Sequence, residues 1–189
     1  TKAERSFLEK DLRDYLVVGG FPEAQNLERR DRGELLKSYV DVVLLRDVIE
    51  RHGVSHPLAL RWMVRQLLGN AAGAFSVNKF HGDLKSQGVA VAKDTLHAYL
   101  AHLEDAFLVR LISIATDSER RRMVNPRKAY PIDPGLIPLF DRSGKANLGH
   151  ALETVVMLEL DRRGAEVAYV HTPAGFEVDF LARHPAGGE

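Results

Sequence analysis

At 189 residues the chain sits between the usual sizes of one domain and two. Its 45% hydrophobic and 28% charged residues are the make-up of a packed globular protein, which excludes extended disorder and low-complexity character. Lys+Arg and Asp+Glu balance at 26 each, against a protein that coats nucleic acid indiscriminately, and the absence of cysteine excludes disulfides, thiolate metal sites and Cys nucleophiles.

No apolar run approaches the roughly 20 residues that span a bilayer, so no membrane partner is expected. The opening Thr1-Lys2-Ala3-Glu4-Arg5 has no signal-peptide core, which leads us to expect a soluble, cytoplasmic chain. In chain order, Ser6-Phe7-Leu8-Glu9 has the form of a capping box. Leu8, Leu12, Tyr15 and Leu16 follow at helical spacing as far as Gly19-Gly20-Phe21-Pro22. A second helix is expected from about Glu34 to Arg51, stopped by Gly53, and a third from Pro57 to about Gly69. Ser76 can cap a short helix ending near Lys85. A longer one, from Lys93 to Ala106, carries Leu96, Leu100, Leu103 and Phe107 on one stripe.

The β-branched run from Leu108 to Ile114 predicts a strand, and Lys128 to Ile132 a second, with the polar stretch Thr116 to Arg122 between them. Helix, short helix, long helix and hairpin are the order of a winged helix-turn-helix. Beyond Pro134, Asn147 reads as the N-cap of a strongly apolar helix that ends at Gly164. Two strands follow, Glu166 to Val170 and about Phe176 to Leu181. The expected fold is mainly α with an α/β tail: a helical linker over 1–56, a winged helix over 57–140 and a truncated α/β unit over 141–189. The closing residues His184 to Glu189 read as a turn leading into a further strand.

Common catalytic signatures are missing: no phosphate loop, no Gly-x-Ser-x-Gly elbow and no His-Glu-x-x-His pair occurs. Glu153, set among Leu152, Val155, Val156, Leu158 and Leu160, needs a partner if its helix is buried. Phe176-Glu177-Val178-Asp179-Phe180 alternates, with the aromatic and Val residues on one face and the acids on the other. Either Glu153 and Asp179 converge on a weakly held Mg²⁺ or Mn²⁺, or the strand acids face solvent while Glu153 sits in a salt bridge. Arg120, Arg121, Arg122, Arg127 and Lys128 form a basic cluster in the expected wing. Such a cluster either meets phosphates or is a solvated hairpin. Lys79, Lys93 and His97, on the two helices before it, extend the candidate nucleic-acid contacts.

Six segments in order resemble the domain of unknown function that follows the ATPase core in a large prokaryotic AAA+ family. They are Tyr15 to Glu23, Leu45 to His52, Asp94 to Val109, Asn125 to Tyr130, Asn147 to Glu153 and Phe176 to Phe180. The resemblance implies an ATPase domain preceding this stretch, which would supply ATP binding in cis. It also implies a tail with a PD-(D/E)XK nuclease-like fold, in which Glu153 matches the helical acid and Asp179 the strand acid. The third motif, carrying a further ligand and a lysine, would lie beyond Glu189, so the chain by itself is expected to be inactive. The candidate partners are DNA or RNA, that ATPase domain and a second copy of the chain. The rival expectation is a protein–protein interaction module.

Overall fold

A computed structural model of the chain describes residues 2–141, 147–172 and 175–184. The expected closing turn at 185–189, and the Pro173-Ala174 link between the last two strands, lie outside them. The described chain is mainly α with an α/β portion.

Helix α1 spans Lys2–Val18. It begins before Ser6, so the capping-box expectation fails: inside a continuous helix the N–H groups after Ser6 already have i−4 acceptors, and Glu9 instead takes Arg5 at 2.8 Å. Helix α2, Arg29–Val42, starts five residues earlier than expected, through a charged, exposed stretch in which apolar periodicity has nothing to register. It continues as a π-helical stretch, Val43–Glu50, that buries Leu44 and Val48, and Gly53 closes it with φ +59°. Helix α3 is Pro57–Gly69. Leu60, Met63, Val64, Leu67 and Leu68 make it the centre of the main core, with Leu36, Val40, Phe80, Leu96 and Leu100 packed around it.

After α3 come β1 (Ala74–Phe75), α4 (Val77–Ser86), α5 (Lys93–Asp105) and β2 (Val109–Ile114). Helix α6 (Glu119–Val124) and β3 (Arg127–Pro131) complete the unit. Ser76 accepts from the Lys79 N–H as the α4 cap. β1 and β2 both pair antiparallel with β3, so α3-β1-α4-α5-β2-β3 has the order of a winged helix. Neither the two-residue β1 nor α6, which Ser118 caps within the polar stretch 116–122, has a sequence signal of its own.

Helix α7 (Ile137–Phe140) precedes α8 (Leu148–Arg162), whose N-cap Asn147 accepts from the His150 N–H. Strands β4 (Glu166–His171) and β5 (Glu177–Arg183) then extend the same sheet, in the order β1-β3-β2-β4-β5. The β2–β4 contact is parallel, with Ser113 opposite Ala168 and Ile114 opposite Tyr169. Two expectations are corrected here. Helix α8 buries only Ala151, Thr154 and Met157, while Leu148, Leu152 and Val156 face out, because α1 and the sheet cover a single face. Nor does the aromatic face of β5 pack inward as a unit, since Phe176 is 73% and Val178 53% exposed. A register shift leaves Asp179 and Phe180 together opposite Tyr169. Such a bulge turns Phe180 towards Tyr130, their ring centroids 5.7 Å apart.

The turn after α1 is tied to the segment that follows β3 by a buried carboxylate. Asp133 accepts from the Gly20 and Gly135 N–H groups, both at 2.7 Å. Gly19, at φ +83°, leaves no room there for a side chain, because a Cβ would strike the Asp133 carboxylate.

Candidate functional site

Lys128 is the second residue of β3 and opposes Ala74 of β1 on one side and Ile112 of β2 on the other. A strand in the middle of a sheet has no solvent edge, and the residue is only 5% exposed. Its ammonium reaches three carboxylates from two other elements: Glu177 Oε1 at 2.5 Å, Asp179 Oδ1 at 2.8 Å and Glu153 Oε1 at 3.4 Å. Two residues further along the same strand face, Tyr130 donates its hydroxyl to Glu153 Oε1 at 2.9 Å. The period-two geometry of β3 places Lys128 and Tyr130 side by side under α8. The bulged β5 supplies the other two acids.

Burial works against the charged form of Lys128, but hydrogen bonds to Asp179 and Glu177 and the Glu153 charge outweigh it. The ammonium is held well above the ordinary lysine range. Tyr130 is pushed far above the usual phenol value by burial, by its bond to Glu153 and by the surrounding negative charge, so it stays a donor. One cation against three carboxylates leaves the cluster net negative.

Glu153 and Asp179 therefore meet at one point, through the Lys128 ammonium. With that ammonium on both carboxylates, the donor set presented here does not fit Mg²⁺ or Mn²⁺, because a divalent ion would have to displace a buried positive charge. Among the described residues, no group of three or more His, Asp or Glu side chains has the arrangement of a metal site. The sequence groups Lys128 with the wing cations. Its side chain lies instead on the face of the sheet where Glu153 of α8 and the two β5 acids converge, away from the wing cations.

The remaining wing cations sit differently. Arg122 is committed to Glu119 at 2.8 Å and to the Thr116 carbonyl at 3.0 Å. Arg120 and Arg121 are exposed on α6 and make no ion pair among the described residues. Arg127 is half-buried opposite Phe75, at the end of β1 from which α4 starts. Lys79 in the first turn of α4, and Lys93 and His97 on α5, are exposed and likewise without an ion pair among the described residues.

Two side chains escaped the sequence reading. Tyr130 stands in the sequence as a strand residue at the end of a resembling segment, with no sign of its bond to Glu153, and Tyr169, from β4, donates its hydroxyl to the Pro126 carbonyl at 2.7 Å. An aromatic in a strand reads as core, and nothing local distinguishes one whose hydroxyl finds an acceptor across the sheet.

Residues 9–145 match the profile of a domain of unknown function, DUF8612. The chain belongs to that family. The match takes in the helical region, the winged helix, Lys128 and Tyr130, while Glu153, Tyr169, Glu177 and Asp179 lie beyond it. The chain is 31% identical over 182 residues to the uncharacterized protein MJ1544 of Methanocaldococcus jannaschii, covering 94% of this chain and 40% of that protein. It is 27% identical over 181 residues to an uncharacterized protein of Haemophilus influenzae, covering 96% and 45%. The chain thus spans less than half the length of both relatives. No solved structure matches. Among the described residues, no helix is long and apolar enough to cross a membrane.

Proposed function

We propose that this DUF8612 chain is an accessory region of a larger AAA+ ATP-binding protein, engaging DNA or RNA through its winged helix and coupling that engagement to the ATPase. The observation that carries the reading is the exposed pair Arg120 and Arg121. They lie on a helix inserted between the two wing strands and are unpaired among the described residues. Guanidinium groups without carboxylate partners are available to phosphate oxygens, which position a protein on a nucleic-acid backbone without reading sequence. Lys79, Lys93, His97 and Arg127 belong to the same winged-helix unit and would widen the interface. The ATPase assignment rests on the resemblance of six ordered segments, and the more than half of each relative that lies outside the match leaves room for such a domain.

The same wing helix also exposes Met123 and Val124, at 73% and 58%. That favours a second reading, in which the wing meets a protein surface, in cis or on a second copy, and the tail is a degenerate nuclease-like unit. No nuclease step is proposed for this chain, because the Lys128 ammonium holds both acids that the resemblance marks as catalytic.

The deciding experiment is fluorescence anisotropy with a labelled duplex and a labelled single strand, at salt from about 50 to about 200 mM. The wild type is compared with the Arg120→Ala/Arg121→Ala/Arg122→Ala triple variant. On duplex DNA the slope of log K against log salt becomes shallower by about 0.9 for each phosphate the variant no longer neutralises, and on a single strand by about 0.7. A triple variant with the wild-type affinity and slope removes the wing from nucleic-acid binding and leaves the protein-interaction reading.

A further inference from the structure

The basic wing, residues 115–127, leaves the sheet at the end of β2 and re-enters it at the start of β3. Helix α6 within it has no buried residue, so its own packing does little to fix where its arginines point. The two roots of the wing do that, and both meet one residue of the tail. At the outgoing root, the Ala115 N–H donates to the Tyr169 carbonyl at 2.7 Å, prolonging the parallel pairing of Ile114 with Tyr169. At the returning root, the Tyr169 hydroxyl donates to the Pro126 carbonyl at 2.7 Å. Proline has no N–H, so that carbonyl is the one backbone group through which this root can be tied at position 126.

The staple is well supported. Tyr169 is 6% exposed, packed with Ile112, Ile114, Tyr130 and Met157. Burial, and then the nearby Glu177 charge, raise its hydroxyl above the usual phenol range, so it remains a donor through the physiological range. The Lys128 ammonium lies 5.9 Å from the ring centroid and is itself bound by Glu177 and Asp179 of β5. The root of the wing is thereby joined to both tail strands.

We infer that Tyr169 is a positioning residue that staples both roots of the basic wing, so that docking of the α8-β4-β5 tail regulates how Arg120 and Arg121 are presented to a nucleic-acid backbone. The inference rests on the nucleic-acid reading above and adds its control. A tail that is docked holds the wing in one orientation before binding. A tail that is displaced leaves a wing whose ordering must come out of the binding energy.

The test is Tyr169→Phe in the 189-residue chain, with Tyr130→Phe as the control: it deletes a neighbouring buried hydroxyl that bonds Glu153 rather than the wing. Hydrogen-exchange mass spectrometry reads opening of residues 115–127. Loss of one hydrogen bond predicts exchange there about two- to tenfold faster in Tyr169→Phe, with α3, α4 and α5 unchanged. Anisotropy then shows affinity reduced by a similar factor with an unchanged salt slope, since every phosphate-binding side chain is still in place. Wing exchange equal to the wild type overturns the inference, as does Tyr130→Phe loosening the wing to the same degree. Absence of nucleic-acid binding by the wild type refutes the proposed function itself, and the exchange comparison still decides the staple.

Discussion

Lys128→Met is the most direct probe of the charged cluster. The substitution keeps most of the aliphatic stem and deletes the ammonium that three carboxylates share. Breaking a buried ion pair by removing one partner costs about 3–5 kcal/mol, because the other charge is left unpaired. Solvent screens most of this for the exposed partners: the Glu177 and Asp179 side chains are 44% and 57% exposed, against 18% for Glu153 and 7% for Lys128. Glu153 keeps its bond from Tyr130, which places the expected loss near the lower bound, about 3 kcal/mol near neutral pH. For a chain of this size that lowers Tm by about 6–12 °C.

The pH dependence has a definite sign. At the alkaline end the gap between the two proteins closes. The Lys128 value is raised on folding, so the stability it contributes is complete below the lysine reference of 10.5 and is lost as pH climbs towards the folded value. The wild type therefore weakens above that point, and the variant lacks this decline. Urea titrations at neutral pH and above pH 10.5 measure the difference. A Lys128→Met protein within about 0.5 kcal/mol of the wild type at neutrality would refute the cluster as a source of stability, as that is the scatter of an inert surface change.

Gly19→Ala is expected to cost about 3 kcal/mol or more: an alanine at φ +83° is strained, and its Cβ displaces the Asp133 carboxylate from the Gly20 and Gly135 N–H groups. A thermal melt within a degree or two of the wild type counts against that joint. His52 and His102 stack face to face at 3.7 Å, and burial followed by the His52 charge lowers the His102 value. Stability from this group is present above 6.5 and falls away as pH drops through the folded value. Asp105 tempers the effect. His52→Ala should move the His102 titration, followed by NMR, back towards the ordinary value, and an unmoved titration would exclude the stack as a cause.

Much of this architecture was legible one segment at a time. The Leu96/Leu100/Leu103 stripe, the Ser76 and Asn147 caps and the β-branched run of β2 state their structure within a few residues, because helical period, capping and strand preference are local physics. The basic character of the wing was likewise readable, being a matter of composition. Assembly was not. The two-residue β1 has no pattern of its own and exists because β3 offers it a ladder. Helix α8 looks uniformly apolar, yet which stripe is buried depends on α1 and the sheet arriving from elsewhere in the chain. The acids of β5 were visible as an alternating pair, and Glu153 as an acid needing a partner. That the partner is Lys128, 25 residues from Glu153 and 51 from Asp179, follows only from α8 and β5 converging on one face of β3. Sequence periodicity assigns a side chain to a face of its own element. The tertiary structure decides what that face meets, and in this chain it took one cation out of the basic wing and set it among three carboxylates.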